Sequence, residues 1–118
     1  MSSPLSKKNL SRIRRQTKPI RTAIDQMDLV SSGTLVTRTK VCGRPNCRCA
    51  YDSSARHGPY YEWNRLIDKK LVHNVISEEQ AELVAVAIEN QRQIKRLLML
   101  WEAETTNFIL NLDDDDEE

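Results

Sequence analysis

Cys42, Cys47 and Cys49, with His57 eight residues beyond the last of them, are the side chains best equipped for chemistry in this 118-residue sequence. Three thiolates and an imidazole form a tetrahedral Cys3His donor set suited to Zn2+, and closed four-coordinate sets of that kind are usually structural rather than catalytic. The spacing CxxxxCxC departs from finger motifs, which more often place two residues between paired cysteines. Turn chemistry supports the set: Gly43 and Pro45 lie inside the first loop, and His57-Gly58-Pro59 repeats that chemistry at the far end. His73 and Asp52 are alternative fourth donors, because carboxylates also bind zinc. Arg44, Arg48 and Arg56 surround the cysteines, and neighbouring cations favour the thiolate that a metal needs. An odd cysteine count excludes a fully paired disulfide framework, and Cys47 and Cys49 are too close in sequence for an easy bridge. Reactive thiols, unliganded packing cysteines and an iron-sulfur cluster stand as alternatives to the structural metal.

The rest of the chain must position these groups, and its pattern predicts an α+β fold in four parts. Residues 1–32 form a basic helical arm in which Leu10, Ile13, Thr17, Ile20, Ile24 and Met27 recur at steps of three and four. Pro19 removes a backbone donor, which predicts a kink or two helical pieces. Ser31-Ser32-Gly33 breaks the pattern. Residues 33–76 hold the cysteine knuckle in a small three-stranded β region: Thr34 to Val41 is rich in β-branched residues, and Tyr60 to Ile67 and Leu71 to Ile76 read as a hairpin turning at Asp68 to Lys70. On its first arm Tyr61, Trp63, Arg65 and Ile67 share one face, with core packing expected of Tyr61 and Trp63. Tyr60, Glu62, Asn64 and Leu66 share the other, where Tyr60 is the candidate for an exposed contact. Residues 77–112 form a long amphipathic helix opened by a capping box, Ser77 with Gln80. Its expected seam is Leu83, Ala87, Asn90, Ile94, Leu97, Trp101, Glu104 or Thr105, Phe108 and Leu112, with Leu98, Met99 and Leu100 as a second apolar stripe. A helix of that length outruns what so small a chain covers alone, so the seam predicts a partner: the N-terminal arm, then a second copy, with Asn90 fixing register. Residues 113–118 are six consecutive acids, an expected disordered tail.

Charge is divided along the chain although its sum is only +1. Residues 1–75 carry a net charge of about +10 and the remainder about −9, an asymmetry that points to a nucleic-acid-facing part and an acidic appendage. Lys7, Lys8, Arg12, Arg14, Arg15, Lys18 and Arg21 mostly lie off the apolar seam, where they can neutralise phosphates without reading sequence. No apolar run is long enough to span a membrane and the first ten residues lack a signal-peptide core, so a reducing, cytoplasmic location is expected.

The segments CGRPNCRC, HGPYYEW and, after a short hairpin, ISEEQAELVAVAIENQRQIKRLL resemble a widespread family of small bacterial, archaeal and phage proteins. Cys42, Cys47, Cys49, His57, Gly58, Pro59, Tyr60 and Tyr61 carry the resemblance, which covers Leu35 to Trp101. It implies zinc binding and an association with mobile DNA, near transposases or integrases. Asp68-Lys69-Lys70 departs from the family's glycine turn.

Together these readings predict a zinc-stabilised, non-catalytic protein that binds DNA or RNA, or serves as an accessory to such a protein, and that self-associates through its helices. The nucleic-acid contacts expected are the seven arm cations above with Arg44, Arg48, Arg56 and Tyr60. The alternative is a protein-interaction module with a structural metal and no nucleic-acid role. Catalysis has little support: a Cys3His set leaves no open coordination position, and the chain shows no phosphate-cradling glycine loop and no serine-centred motif.

Overall fold

The computed structural model describes residues 3–112, so the acidic run 113–118 lies outside the described residues. Its elements follow in the order α1 (Lys7–Asp25), β1 (Thr34–Lys40), two short 3₁₀ turns, β2 (His57–Ile67), β3 (Lys70–Ile76) and α2 (Glu78–Leu110). They fall into two compact units, one of residues 29–90 and one made of residues up to 28 with those from 91 on.

The sheet belongs to the first of these units. Its three strands run antiparallel in the order β1-β2-β3, so β2 is central. β1 pairs with β2 from Thr34↔Asn64 to Lys40↔His57, with a register irregularity between Arg38 and Lys40. β2 thus begins at His57, before the Tyr60 start that the glycine and proline suggest, because pairing to Lys40 holds the His57-Gly58-Pro59 segment extended. β2 pairs with β3 from Tyr61↔Ile76 to Ile67↔Lys70, leaving Asp68 and Lys69 as a two-residue turn. Both turn residues have positive φ, 50° and 66°, as a type I′ hairpin requires. Gly33 enters β1 at φ +117°, where a Cβ would lie 2.5 Å from the Asn64 carbonyl oxygen, so only glycine allows this approach.

One face of the sheet meets the start of α2. Trp63 shares a shallow apolar groove with Leu29, Val30, Leu83, Val84 and Ala87, and its indole Nε1 donates to the Ser32 carbonyl at 3.1 Å. The Arg65 guanidinium lies 4.1 Å from the Trp63 ring centroid. Trp63 and Tyr61 are half-buried rather than fully enclosed. Ala81, Val84, Ala87 and Ile88 are the buried residues of α2, whereas Leu83 is 58% exposed. Leu83 is thus exposed at the groove rim, and the chain before β1 lies along this part of α2, where Ser31 N–H donates to the Ala87 carbonyl at 3.1 Å. Asn90 makes a bond within the chain, its Nδ2 donating to the Leu29 carbonyl at 2.9 Å. The capping box forms as read: Gln80 N–H donates to Ser77 Oγ at 3.1 Å and Ser77 N–H to Gln80 Oε1 at 2.9 Å.

In the other unit α1 is one continuous helix through Pro19, not two pieces. Pro19 withholds the N–H that would bond the Arg15 carbonyl. One residue earlier, the Arg14 carbonyl accepts from the Arg21 guanidinium at 2.6 Å. Ser6 caps the helix, its side chain accepting from Asn9 N–H. Thr17 and Ile20 of the expected seam are buried, as is Asn9, whose amide donates to the Pro4 carbonyl at 3.0 Å. The Arg12 guanidinium lies 4.8 Å from the Phe108 ring centroid, a cation–π contact that ties α1 to the later turns of α2. From Asn90 on, the expected α2 seam is half-buried at Ile94, Leu97, Trp101, Thr105, Phe108 and Leu112. No helix among the described residues is long and apolar enough to cross a membrane.

Candidate metal centre

The connection between β1 and β2 carries every cysteine of the chain, and its ends are set by strand pairing. Because Lys40 opposes His57, Cys42 leaves β1 two residues past the point where His57 enters β2. Gly58 makes that approach possible: it sits at φ +123°, and a Cβ there would lie 3.0 Å from the Arg38 carbonyl oxygen. Within the loop, Cys47 N–H donates to the Arg44 carbonyl at 3.1 Å, closing a turn with Pro45 and Asn46 at its centre. A 3₁₀ turn over Arg48–Ala50 then carries Cys49 inward, where it is 2% exposed. The second 3₁₀ turn, Ser53–Ala55, is capped by Asp52, which accepts from Ser54 N–H at 3.0 Å and from Ser54 Oγ at 2.7 Å.

This path brings Cys42, Cys47, Cys49 and His57 together, their ligand atoms all within 4.8 Å of one another. Cys49 Sγ lies 3.5 Å from Cys42 Sγ, and Cys47 Sγ lies 3.3 Å from His57 Nε2. A tetrahedral ion with Zn–S bonds of about 2.3 Å and Zn–N of about 2.0 Å needs ligand-to-ligand edges of roughly 3.5–3.8 Å. The Cys42–Cys49 and Cys47–His57 separations are near those edges, while the widest spacing, up to 4.8 Å, lies about 1 Å beyond them. All three cysteines are free thiols. The Cys42 backbone N–H donates to Cys49 Sγ at 3.3 Å, the kind of outer contact that orients a metal-binding sulfur. Neither alternative donor joins the cluster. His73 Nδ1 lies 3.2 Å from Glu62 Oε1 and also meets Asn64 Oδ1, and Asp52 is held by Ser54 and Arg48.

The thiols are tuned in opposite directions. The Cys49 backbone N–H, then the Cys49 and Cys42 thiols, hold Cys47 below the usual thiol range. At Cys49 the Cys42 N–H favours the thiolate, but burial and the neighbouring Cys47 and Cys42 sulfurs outweigh it and push the thiol up. A buried sulfur that resists ionisation among other sulfurs becomes a thiolate readily once a cation shares its site. The shift at Cys47 arises from hydrogen bonds inside the loop and not from the arginines invoked on sequence grounds. Arg48 instead serves the loop itself, donating to Asp52 Oδ2 from Nε at 3.1 Å and from an Nη at 2.9 Å.

The cations read as phosphate contacts fall in both units. On α1, Lys7, Lys8, Arg14, Arg15 and Lys18 are exposed. Arg14, Arg15, Lys18 and Arg21 line a shallow concave surface with Ser11, Thr22 and Asp25, one stripe at helical spacing. Arg12 is engaged with Phe108 and with Asn9 Oδ1, and Arg21 with Thr17 Oγ1 and the Arg14 carbonyl. In the knuckle Arg44, Arg48, Arg56 and Tyr60 are exposed, with the Lys40 ammonium 5.4 Å from the Tyr60 ring centroid. Sequence reasoning passed over Tyr51, which is 79% exposed and belongs to the same loop. Its signal was an aromatic residue in a polar segment two residues after the last cysteine.

Neither a curated protein nor a solved structure matches the chain. A family model described as a domain of unknown function (DUF6788) matches residues 10–85, a span that includes most of α1, the whole sheet, the cysteine loop and the first turns of α2. That span is more than half of the sequence, and the chain belongs to this family.

Proposed function

We propose that the protein is a zinc-stabilised, non-catalytic nucleic-acid-binding protein, with Cys42, Cys47, Cys49 and His57 holding the ion and α1 supplying the principal phosphate contacts. The observation that carries the nucleic-acid reading is the stripe of Arg14, Arg15, Lys18 and Arg21 along α1, where Asp25 is the single acid. Lys7 and Lys8 extend the positive surface at the start of the helix. Such a row neutralises phosphates and releases their counterions without reading bases. Four protein donors close the coordination shell of zinc, which favours a structural ion over one that activates water. An association with mobile DNA, implied by the sequence resemblance, is a natural setting for a binder of this kind.

The test is a salt titration of binding to a labelled oligonucleotide duplex. The affinity of the unmodified chain should fall steeply with salt. Changing Arg14, Arg15 and Lys18 together to alanine should flatten the log–log slope by about 2.7. Salt-insensitive affinity, or no binding at low salt, would sink the reading.

A second reading rests on apolar residues that α2 leaves in solvent. Met99, Leu100, Ile109 and Leu110 are all more than half exposed. They favour contact with a second copy or another protein, which is the interaction-module alternative and is compatible with phosphate binding by α1. Mass determination in solution separates a monomer from a self-associated form.

A further inference from the structure

We infer that the cysteine knuckle is itself a binding site for an unpaired nucleobase, so that the nucleic acid recognised includes a single-stranded segment. This deepens the nucleic-acid reading above and depends on it. Among the described residues Tyr51, 79% exposed, and Tyr60, 39% exposed, are the most accessible of the tyrosine, tryptophan and phenylalanine side chains, and Tyr60 stands where the cysteine loop enters β2. Tyr61, Trp63, Trp101 and Phe108 are half-buried. Tyr60 lies on the sheet face opposite Trp63, so the packing of Trp63 on α2 leaves it free of the core. It borders a concave surface formed with Arg44, Pro45, Asn46 and three of the candidate metal ligands, Cys42, Cys47 and His57.

Charge on this surface suits a phosphate chain. Between Arg38 and Glu62 the sequence carries Arg38, Lys40, Arg44, Arg48 and Arg56 against two acids, Asp52 paired with Arg48 and Glu62 paired with Arg38, which leaves Lys40, Arg44 and Arg56 as the excess cations. The Lys40 ammonium lies over the Tyr60 ring, 5.4 Å from its centroid, while Arg38, which opposes Tyr60 in register, pairs with Glu62 at 3.5 Å. An aromatic face bordered by cations is what sequence-tolerant binders of single strands offer: the ring stacks a base and the cations hold its phosphates. A paired base keeps its faces covered by its neighbours, so a duplex gains nothing from Tyr60. The Asn46 amide, with both donor and acceptor, lies in the same concavity and can meet a base edge.

The experiment measures fluorescence anisotropy of the full chain, with its metal as purified, on a labelled single strand of DNA, the RNA of equal sequence, and the corresponding duplex. Metal content is determined beside every variant. Tyr60→Leu should weaken single-strand binding about tenfold, leave duplex binding and the salt slope unchanged, and retain the metal. Tyr60→Phe should bind as the unmodified chain does. Tyr51→Ala removes an aromatic of the same loop outside the concavity and should cost less than Tyr60→Leu. The inference is overturned if Tyr60→Leu binds single strands normally, if it weakens single strand and duplex alike, or if Tyr51→Ala costs as much. An unmodified chain that binds no oligonucleotide overturns both this inference and the nucleic-acid reading. Binding that survives Tyr60→Leu but fails in the α1 triple variant overturns this inference alone.

Discussion

β2 is joined to its two neighbours by connections of opposite design. Toward β3 the chain reverses over Asp68 and Lys69 alone, and backbone pairing from Ile67↔Lys70 onward fixes the geometry. Toward β1 it passes through a long loop with two 3₁₀ turns, where four side chains converge from Cys42, Cys47, Cys49 and His57. One connection is specified by φ and ψ, and the other by ligand chemistry. A two-residue turn costs little chain entropy, whereas a long loop rich in arginine and serine buries too little apolar surface to order itself. The second therefore needs a cross-link that the first does without, and a metal ion held by the four clustered donors would supply it.

Stripping the metal should separate the two connections most sharply. Structural zinc sites carry apparent binding free energies of roughly 10–16 kcal/mol, so chelation is the largest perturbation available to the loop. Amide hydrogen exchange in residues 41–56 should rise toward unprotected rates, while Glu62–Asn64 and Val72–Val75 keep their protection through the β2–β3 ladder. Equal loss of protection in both would show that the metal holds the whole sheet, and the contrast would collapse.

The turn should respond to a backbone change instead. Lys69 at φ 66° occupies the left-handed region, which costs a residue with a Cβ about 1–2 kcal/mol relative to glycine. Lys69→Gly should raise stability by about 0.5–1 kcal/mol, net of the entropy glycine adds to the unfolded chain, with metal affinity unchanged. Thermal melts of the metal-loaded protein beside a metal titration check both halves of that expectation. A lower melting temperature would mean that the Lys69 side chain makes a contact worth more than the strain.

The smallest effect concerns acid. Asp52 is held below the usual carboxylate range, chiefly by the Ser54 hydroxyl and then by Arg48 and the Ser54 N–H. A depressed carboxylate stabilises the folded loop at pH values above its unfolded value, and the contribution is lost as pH falls through its lower folded value. Loop order should therefore decline below about pH 4 for this reason, in addition to proton competition for the metal ligands. Asp52→Asn should remove the first contribution and keep the second, which a pH series of amide exchange at Ser53–Ala55 would resolve.

What was legible in the sequence was what short-range chemistry determines. Ser77 and Gln80 form their reciprocal bonds as the motif demands, because both partners lie in one turn of chain. The cysteine spacing placed the cluster, and the β-branched run placed β1. Long-range phase was illegible. Nothing near Leu83 says that Ala81, Val84 and Ile88 will be buried instead, and nothing near Asn90 announces the Leu29 carbonyl. The start of β2 was hidden for the same reason: Gly58-Pro59 reads locally as a break, and only pairing with β1 makes His57 a strand residue. The Arg48–Asp52 ion pair was hidden as well, because its partners lie four residues apart in a loop, where helical spacing rules give no guidance.

The junction at Ser77 has a mechanical consequence. β3 ends at Ile76 and α2 begins at Glu78, so the single residue between strand and helix is also the helix cap. No slack separates the two. A pull on the strand is delivered directly to the first turn of the helix, where Ala81 and Val84 are buried, and the junction behaves as a stiff coupling rather than a hinge.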